Sequence, residues 1–129
     1  MNISEFELTY VKNAHRLALF EAFLKFVEKA DEYLHPYQLA VYGSFITNKP
    51  SPGDIDVILQ GFVRKDKWDE YSPSILRLDG PIHVKPFITM SMDDVYHLKP
   101  IDNVIKNFSN TEENKLRYFD IASYVQITF

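Results

Sequence analysis

The 129-residue chain contains no cysteine. This absence excludes a disulfide-stapled scaffold and every metal site built on thiolates, and it is compatible with a reducing compartment. Long apolar runs are missing too: none approaches the ~18 residues that cross a bilayer, and residues 1–12 lack the apolar stretch of a signal peptide. We therefore expect a soluble, cytoplasmic protein that has no membrane association.

A surplus of basic residues is also missing. Acidic residues number 18 and basic residues 14, so the formal net charge is -4. Proteins that bind duplex nucleic acid usually carry a basic surplus that neutralises phosphates. The one basic run, Arg64-Lys65-Asp66-Lys67, is interrupted by an acid. We therefore do not expect a nucleic-acid partner.

The length and composition predict one folded domain, residues 1–129. The chain is 46% hydrophobic and 15% aromatic, which argues against long disordered segments. A chain of this size buries enough surface to fold without a disulfide or a metal. We find no internal repeat, linker or low-complexity tract.

Apolar periodicity predicts the order of the secondary structure. A helix is expected over residues 13–34, started by Asn13 as its N-cap and stopped by Pro36. The other expected elements are strands at 37–43, 54–60 and 82–88, a helix at 101–108 and a final strand, after a turn of helix, within 115–129. This order predicts an α+β fold, a small mixed β-sheet flanked by helices.

Three local features complete this prediction. Residues 4–7 resemble a capping box and predict a short leading turn. Residues 65–78 have helical spacing interrupted by Pro73, so two short helices and one broken helix are equally compatible. Pro86 indicates that one side of the strand at 82–88 is unpaired, and Ser91 can cap a turn.

The segment whose residues suggest a binding or catalytic site is Val41–Leu59. An apolar strand ends in Gly43-Ser44, and ten residues later a strand begins with Asp54-Ile55-Asp56. Because side chains alternate along a strand, both aspartates point to the same face. Paired carboxylates suit Mg²⁺ or Mn²⁺. Without a cation they would repel each other, and one would tend to take up a proton.

The residues before the aspartates suit a phosphate. Gly43 has no side chain, so a phosphate can approach its backbone. Ser44 adds a hydroxyl and a backbone N–H where a turn or helix begins, and Lys49 offers a cation for a triphosphate. These parts together suit metal-assisted nucleotidyl transfer from an NTP.

The order Gly-Ser, about ten residues, Asp-x-Asp resembles the nucleotidyltransferase superfamily typified by DNA polymerase beta and the minimal nucleotidyltransferases. The fuller string from Gly43 to Asp56 also resembles small bacterial and phage nucleotidyltransferase-like proteins with a Gly-Ser-Phe-Val-Thr-x-Lys-Pro segment. The close resemblance covers about 20 residues. It implies a nucleotidyltransferase-like fold with Asp54 and Asp56 as catalytic metal ligands, and with Gly43 and Ser44 at the nucleotide phosphates.

The sequence departs from that superfamily at one position. Active members generally add a third carboxylate on a later strand, and here the corresponding strand, residues 82–88, offers His83 and Lys85. A neutral histidine can bind a metal, whereas a lysine would replace the cation with an ion pair. Three other acids could supply the missing carboxylate oxygen, but roles in turns and caps explain them adequately: Asp79, Asp93 and Asp94.

Two functions follow from this departure. The first is a Mg²⁺- or Mn²⁺-dependent enzyme that transfers NMP to a small molecule, a protein hydroxyl or an RNA end, with a partner chain or a homodimer supplying the acceptor site. The second is a catalytically degenerate fold that acts as a protein-binding module. The resemblance implies this role, because small members often serve as antitoxins, as companions of toxins or in phage defence.

Overall fold

The computed structural model describes residues 1–76, 80–90, 97–109 and 123–129. Two helices are followed by three strands, a third helix and a fourth strand in these ranges, and short 3-10 helices occupy Gly43–Ile46 and Lys65–Lys67. In chain order the main elements are α1 (Ile3–Tyr10), α2 (Ala14–Tyr33), β1 (Leu34–Tyr42), β2 (Ile55–Val63), β3 (Ile82–Thr89), α3 (Ile101–Ser109) and β4 (Tyr124–Ile127).

The strands form one mixed sheet in the order β3-β2-β1-β4. β1 runs antiparallel to both of its neighbours, β2 and β4, whereas β2 and β3 run parallel. The predicted α+β class and the predicted pairing of the first two strands are therefore confirmed.

Each face of the sheet has its own core. On one face, the odd-numbered residues Ile55, Val57 and Leu59 of β2 pack in a cluster with buried phenylalanines of α1 and α2. On the other face, Ile58 of β2 belongs to a second cluster with α3. The prediction that the long helix covers the Ile55–Leu59 face is confirmed. The aspartates of the Asp-x-Asp motif belong to the opposite face, where α3 packs.

The start of α2 is as predicted, but the neighbouring boundaries differ. Asn13 caps α2 by accepting a hydrogen bond from Arg16 N at 2.8 Å. The capping box of α1 uses Asn2 and Glu5 instead of the residues predicted from position 4 onward, and a full eight-residue helix follows. β1 begins at Leu34 rather than at residue 37, because the fully buried Leu34 side chain anchors the extended chain immediately after α2.

β2 extends three residues beyond the predicted end at residue 60. Gly61 lies inside the strand, where a Cβ would come within 2.7 Å of Tyr37 Cβ. Glycine at this position admits the Tyr37 side chain of the neighbouring strand and does not end β2. Residues 54–60 were thus the correct strand with too early an end, and Asp54 itself lies just before the strand.

Within the predicted helical region 65–78, the described residues 65–76 form less helix than the periodicity predicts. In the described part, 65–76, the chain makes a 3-10 helix at Lys65–Lys67 followed by turns. Trp68 donates its indole N–H to Val63 O at 3.2 Å, so the apolar spacing reflects packing against the end of β2. The predicted features at Asp79, Ser91, Asp93, Asp94 and residues 110–122 lie outside the described residues.

The two edge strands of the described sheet, β3 and β4, each carry a feature that limits further strand pairing. Ile55 N donates to Pro81 O at 2.8 Å, and the parallel alternation that follows turns the ring nitrogen of Pro86 away from β2. Among the described strands β3 lies at the edge of the sheet, so the predicted unpaired side of this strand is confirmed for the described residues. At β4, Met1 bonds to the backbone of Gln126 and Thr128.

None of the helices in the described ranges is long and apolar enough to cross a membrane.

Candidate metal centre

Three neighbouring strands bring the acidic motif together with His83. Asp56 pairs with Tyr42 of β1 on one side and with His83 of β3 on the other. In a sheet, residues paired across strands point to the same face. Asp54, just before β2, shares that face with Asp56 because the two are separated by one residue.

The resulting cluster consists of Asp54, Asp56 and His83. His83 Nδ1 lies 3.1 Å from Asp54 Oδ2 and 3.6 Å from Asp56 Oδ1. One ligand atom from each residue lies within 4.8 Å of the other two. The side chains of Asp54 and Asp56 are 30% and 20% exposed, and that of His83 is 60% exposed. The cluster is open to solvent on the His83 side, so a ligand can reach it.

Burial and the neighbouring negative charge of Asp54 disfavour the charged form of Asp56. The pKa of Asp56 is raised from 3.8 to about 6, first by burial and then by the negative charge of Asp54. The positive charges of His83 and Lys85 act in the opposite direction. This direction agrees with the prediction that one acid of the pair tends to take up a proton. A divalent cation would remove this penalty, because it screens both carboxylates.

Gly43 lies directly against the Asp56 carboxylate. Its φ of +81° falls in the left-handed region, and a Cβ there would be 2.5 Å from Asp56 Oδ2. Glycine is thus required twice, by the backbone conformation and by the space that the carboxylate occupies. The sequence argument from phosphate access did not foresee the second requirement.

Ser44 follows Gly43 in the 3-10 helix at the end of β1. Its carbonyl accepts hydrogen bonds from the backbone N–H of Thr47 at 3.2 Å and from the Thr47 hydroxyl at 2.6 Å. Gly43 therefore adjoins the acidic cluster at Asp56, and Ser44 follows it in a turn that has its own internal hydrogen bonds.

The two lysines of the sequence prediction have different positions. Lys85 pairs with Ile58 in the β2–β3 ladder, on the face of the aspartates, and its charge lowers the pKa of Asp56. The Lys49 side chain is exposed, and it makes no ion pair with either aspartate within the described residues. His83, and not Lys85, lies closest to both carboxylates.

Sequence reasoning missed the residues that hold the loop between the two motifs. Arg16 of α2 is buried, with 4% exposure, and it bonds to backbone carbonyls of this loop. Asn13 Nδ2 donates to Pro50 O at 2.9 Å, and His15 Nε2 lies 2.6 Å from Pro52 O. The only available signal was an arginine, Arg16, at a helical position whose neighbours three and four residues on, Leu19 and Phe20, are buried.

Residues 1–118 match the model of a family of unknown function, DUF6932. The chain belongs to this family. The matched range contains α1 to α3 and the whole Asp54–Asp56–His83 cluster. No curated protein and no solved structure matches the chain significantly.

Replacing Gly43 should disturb both the backbone and the cluster. We expect Gly43→Ala to reduce the free energy of unfolding by at least about 1–2 kcal/mol, the cost of a left-handed conformation for a residue with a Cβ. It should also displace the Asp56 carboxylate and weaken Mn²⁺ binding. Urea unfolding and calorimetric titration measure the two effects. Gly53→Ala is the matched control, since nothing lies within 4 Å of its Cβ position, and it should change neither.

The raised pKa of Asp56 predicts a pH-dependent stability. The folded protein binds a proton more tightly than the unfolded chain between pH 3.8 and about 6. Folding is therefore favoured at the acidic end, and stability is lost as the pH rises through 6. In a chelator, Asp56→Asn should become more stable relative to wild type from pH 4 to pH 8. A relative stability that stays flat or falls over this range would contradict the assignment; Asp66→Asn, at an exposed position, serves as the control.

Proposed function

We propose that this chain is a divalent-metal-dependent nucleotidyltransferase of the DNA polymerase beta-like superfamily. The observation that carries the proposal is the convergence of Asp54, Asp56 and His83 within 4.8 Å, next to the Gly43-Ser44 turn. The substrate is an NTP, and the acceptor is a small molecule, a protein hydroxyl or an RNA end. A cytoplasmic location, where NTPs are abundant, belongs to the same proposal.

The donor set favours a hard or borderline divalent cation. Asp54 and Asp56 would supply carboxylate oxygens and His83 its Nδ1 atom. Carboxylates suit Mg²⁺ and Mn²⁺, and an imidazole shifts the preference toward transition metals. Mn²⁺ is therefore the sharper probe of this site, with Mg²⁺ as the second. A cation bound here would hold the NTP phosphates and neutralise the charge that develops during transfer.

Different residues of the chain would bind the triphosphate and the cation during the transfer. The Gly43-Ser44 turn and Lys49 hold the triphosphate, and the aspartates hold its cation. An acceptor hydroxyl oxygen then forms a bond to the α-phosphorus while the bond from that phosphorus to the leaving pyrophosphate breaks. Pyrophosphate departs with the electron pair, and the proton of the hydroxyl passes to solvent. The acceptor site would come from a partner chain or from a homodimer.

Metal-dependent stabilisation tests this proposal. Mn²⁺ should raise the Tm of the wild-type protein, and Mn²⁺ with ATP should raise it further, since a ligand at 100 times its Kd stabilises by about 2.7 kcal/mol. The double variant Asp54→Asn/Asp56→Asn should lose both shifts. The matched control, Asp66→Asn/Asp69→Asn, changes two exposed aspartates and should keep them. Equal shifts in both double variants would eliminate the site.

One observation favours the second function, a degenerate fold that binds a protein. Lys85 lies on the face of the aspartates, two pairs further along the β2–β3 ladder than His83. Two basic side chains thus face the acids on the strand where active members carry a carboxylate. In this arrangement the positive charges would take the place of a metal. The role would then be that of an antitoxin, a companion of a toxin or a component of phage defence.

Replacing Lys85 distinguishes the two functions. If Lys85 opposes the cation, Lys85→Asp should strengthen Mn²⁺ binding, because it exchanges Coulomb repulsion for attraction, and weak transferase activity should appear. Titration calorimetry with Mn²⁺ and pyrophosphate release from an NTP measure these effects. Tight Mn²⁺ binding by wild type that Lys85→Asp leaves unchanged favours the enzyme. Weak binding by wild type that Lys85→Asp improves favours the degenerate fold.

A further inference from the structure

The Arg16 guanidinium organises the segment that follows the Gly43-Ser44 turn. Nη1 donates to Tyr10 O at 3.0 Å and to Phe45 O at 2.6 Å. Nη2 donates to Thr47 O at 2.7 Å and to Lys49 O at 2.6 Å. The guanidinium also lies 5.0 Å from the centroid of the Phe45 ring. One side chain therefore holds every second peptide carbonyl from residue 45 to residue 49.

Only an arginine can make this set of bonds. Its planar fork presents several donors in fixed directions, whereas a lysine presents three donors at a single point. Burying a charge is expensive unless it is well hydrogen-bonded, and Arg16 has no ion pair with an acid in the described ranges. Its charge is balanced by carbonyl dipoles, so the bonds to the segment are part of what makes its burial tolerable.

We propose that Arg16 is a positioning residue for the triphosphate. The inference rests on the proposed function, and it concerns one half of the site. Arg16 fixes residues 45–49 and through them the Gly43-Ser44 turn before them and Lys49 at their end. These are the residues that would contact the phosphates. Arg16 itself is buried beneath the segment and touches no phosphate.

The other half of the site does not depend on Arg16. Asp56 and His83 are held by the pairing of β2 with β1 and β3, and no hydrogen bond joins Arg16 to Asp54, Asp56 or His83 in the described structure. Loosening the segment should therefore weaken triphosphate binding and leave cation binding intact. If the role of Arg16 were purely structural, its replacement would weaken both triphosphate and cation binding or neither of them.

The test compares Arg16→Lys with the matched control Arg64→Lys. Arg64 also donates from its side chain to a backbone carbonyl, from Nε to Asp31 O at 3.2 Å, but among the described residues it makes one such bond. The probes are Mn²⁺ alone and then inorganic tripolyphosphate at saturating Mn²⁺, each by titration calorimetry. Tripolyphosphate removes the unknown base from the experiment. Urea unfolding of each variant checks that it is folded.

We expect the Kd of Arg16→Lys for Mn²⁺ to stay within about twofold of wild type. Its Kd for tripolyphosphate should rise at least about tenfold, which corresponds to the loss of one or more well-made hydrogen bonds to the phosphates. Arg64→Lys should match wild type in both titrations. Unchanged tripolyphosphate binding by folded Arg16→Lys, or equal losses of both ligands, would overturn the inference. Wild type that binds Mn²⁺ but no tripolyphosphate would instead refute the proposed function, and the role of Arg16 with it.

A second variant covers the case in which Arg16→Lys does not fold. Thr47 is exposed, and its hydroxyl donates to Ser44 O at 2.6 Å and accepts from Lys49 N at 3.2 Å. Thr47→Val loosens the same segment from its solvent side without disturbing the buried guanidinium. Weaker tripolyphosphate binding with unchanged Mn²⁺ binding supports the inference. Unchanged binding of both shows that the order of the segment does not control the phosphate half, which overturns it.

Discussion

The register of β2 between β1 and β3 is the constraint on which the rest of the molecule depends. It places odd-numbered residues of β2 in the core beneath α2 and even-numbered residues on the face of the cluster. A slip by one residue in either ladder would exchange the two sets. Asp56 would then enter an apolar core, and Val57 would take its place beside His83. The same hydrophobic pattern that stabilises the sheet therefore also aligns the acidic cluster.

The sequence predicted most of what depends on local pattern. Apolar periodicity located α2 and the strands, and the alternation around Asp54 and Asp56 assigned them to one face. The features that it missed depend on contacts between residues that are distant in the chain. The predicted strand ended at residue 60, just before Gly61, whereas β2 continues because this glycine leaves room for the Tyr37 side chain of the neighbouring strand. Such contacts are properties of the fold and leave no local signal.

The candidate site likewise has features that local sequence predicts and features that only long-range contacts determine. Asp54, Asp56, Gly43 and His83 could be chosen from the sequence, because their chemistry or spacing is distinctive. Their mutual distances could not, since the parallel register that sets Asp56 beside His83 is decided by long-range pairing. Arg16 offered only the weak signal of a charged residue on the apolar side of a predicted helix. Its partners are backbone carbonyls, and a carbonyl looks the same whatever residue carries it.

The two ends of the described sheet limit how copies of this chain can associate. Pro86 removes an outward N–H group from β3, and the backbone of Met1 occupies hydrogen-bonding groups of β4. Proteins whose sheet edges are blocked in these ways resist edge-to-edge aggregation. Among the described strands, these features disfavour a continuous sheet shared between copies, and at high concentration they would hinder the growth of fibrils by the addition of strands.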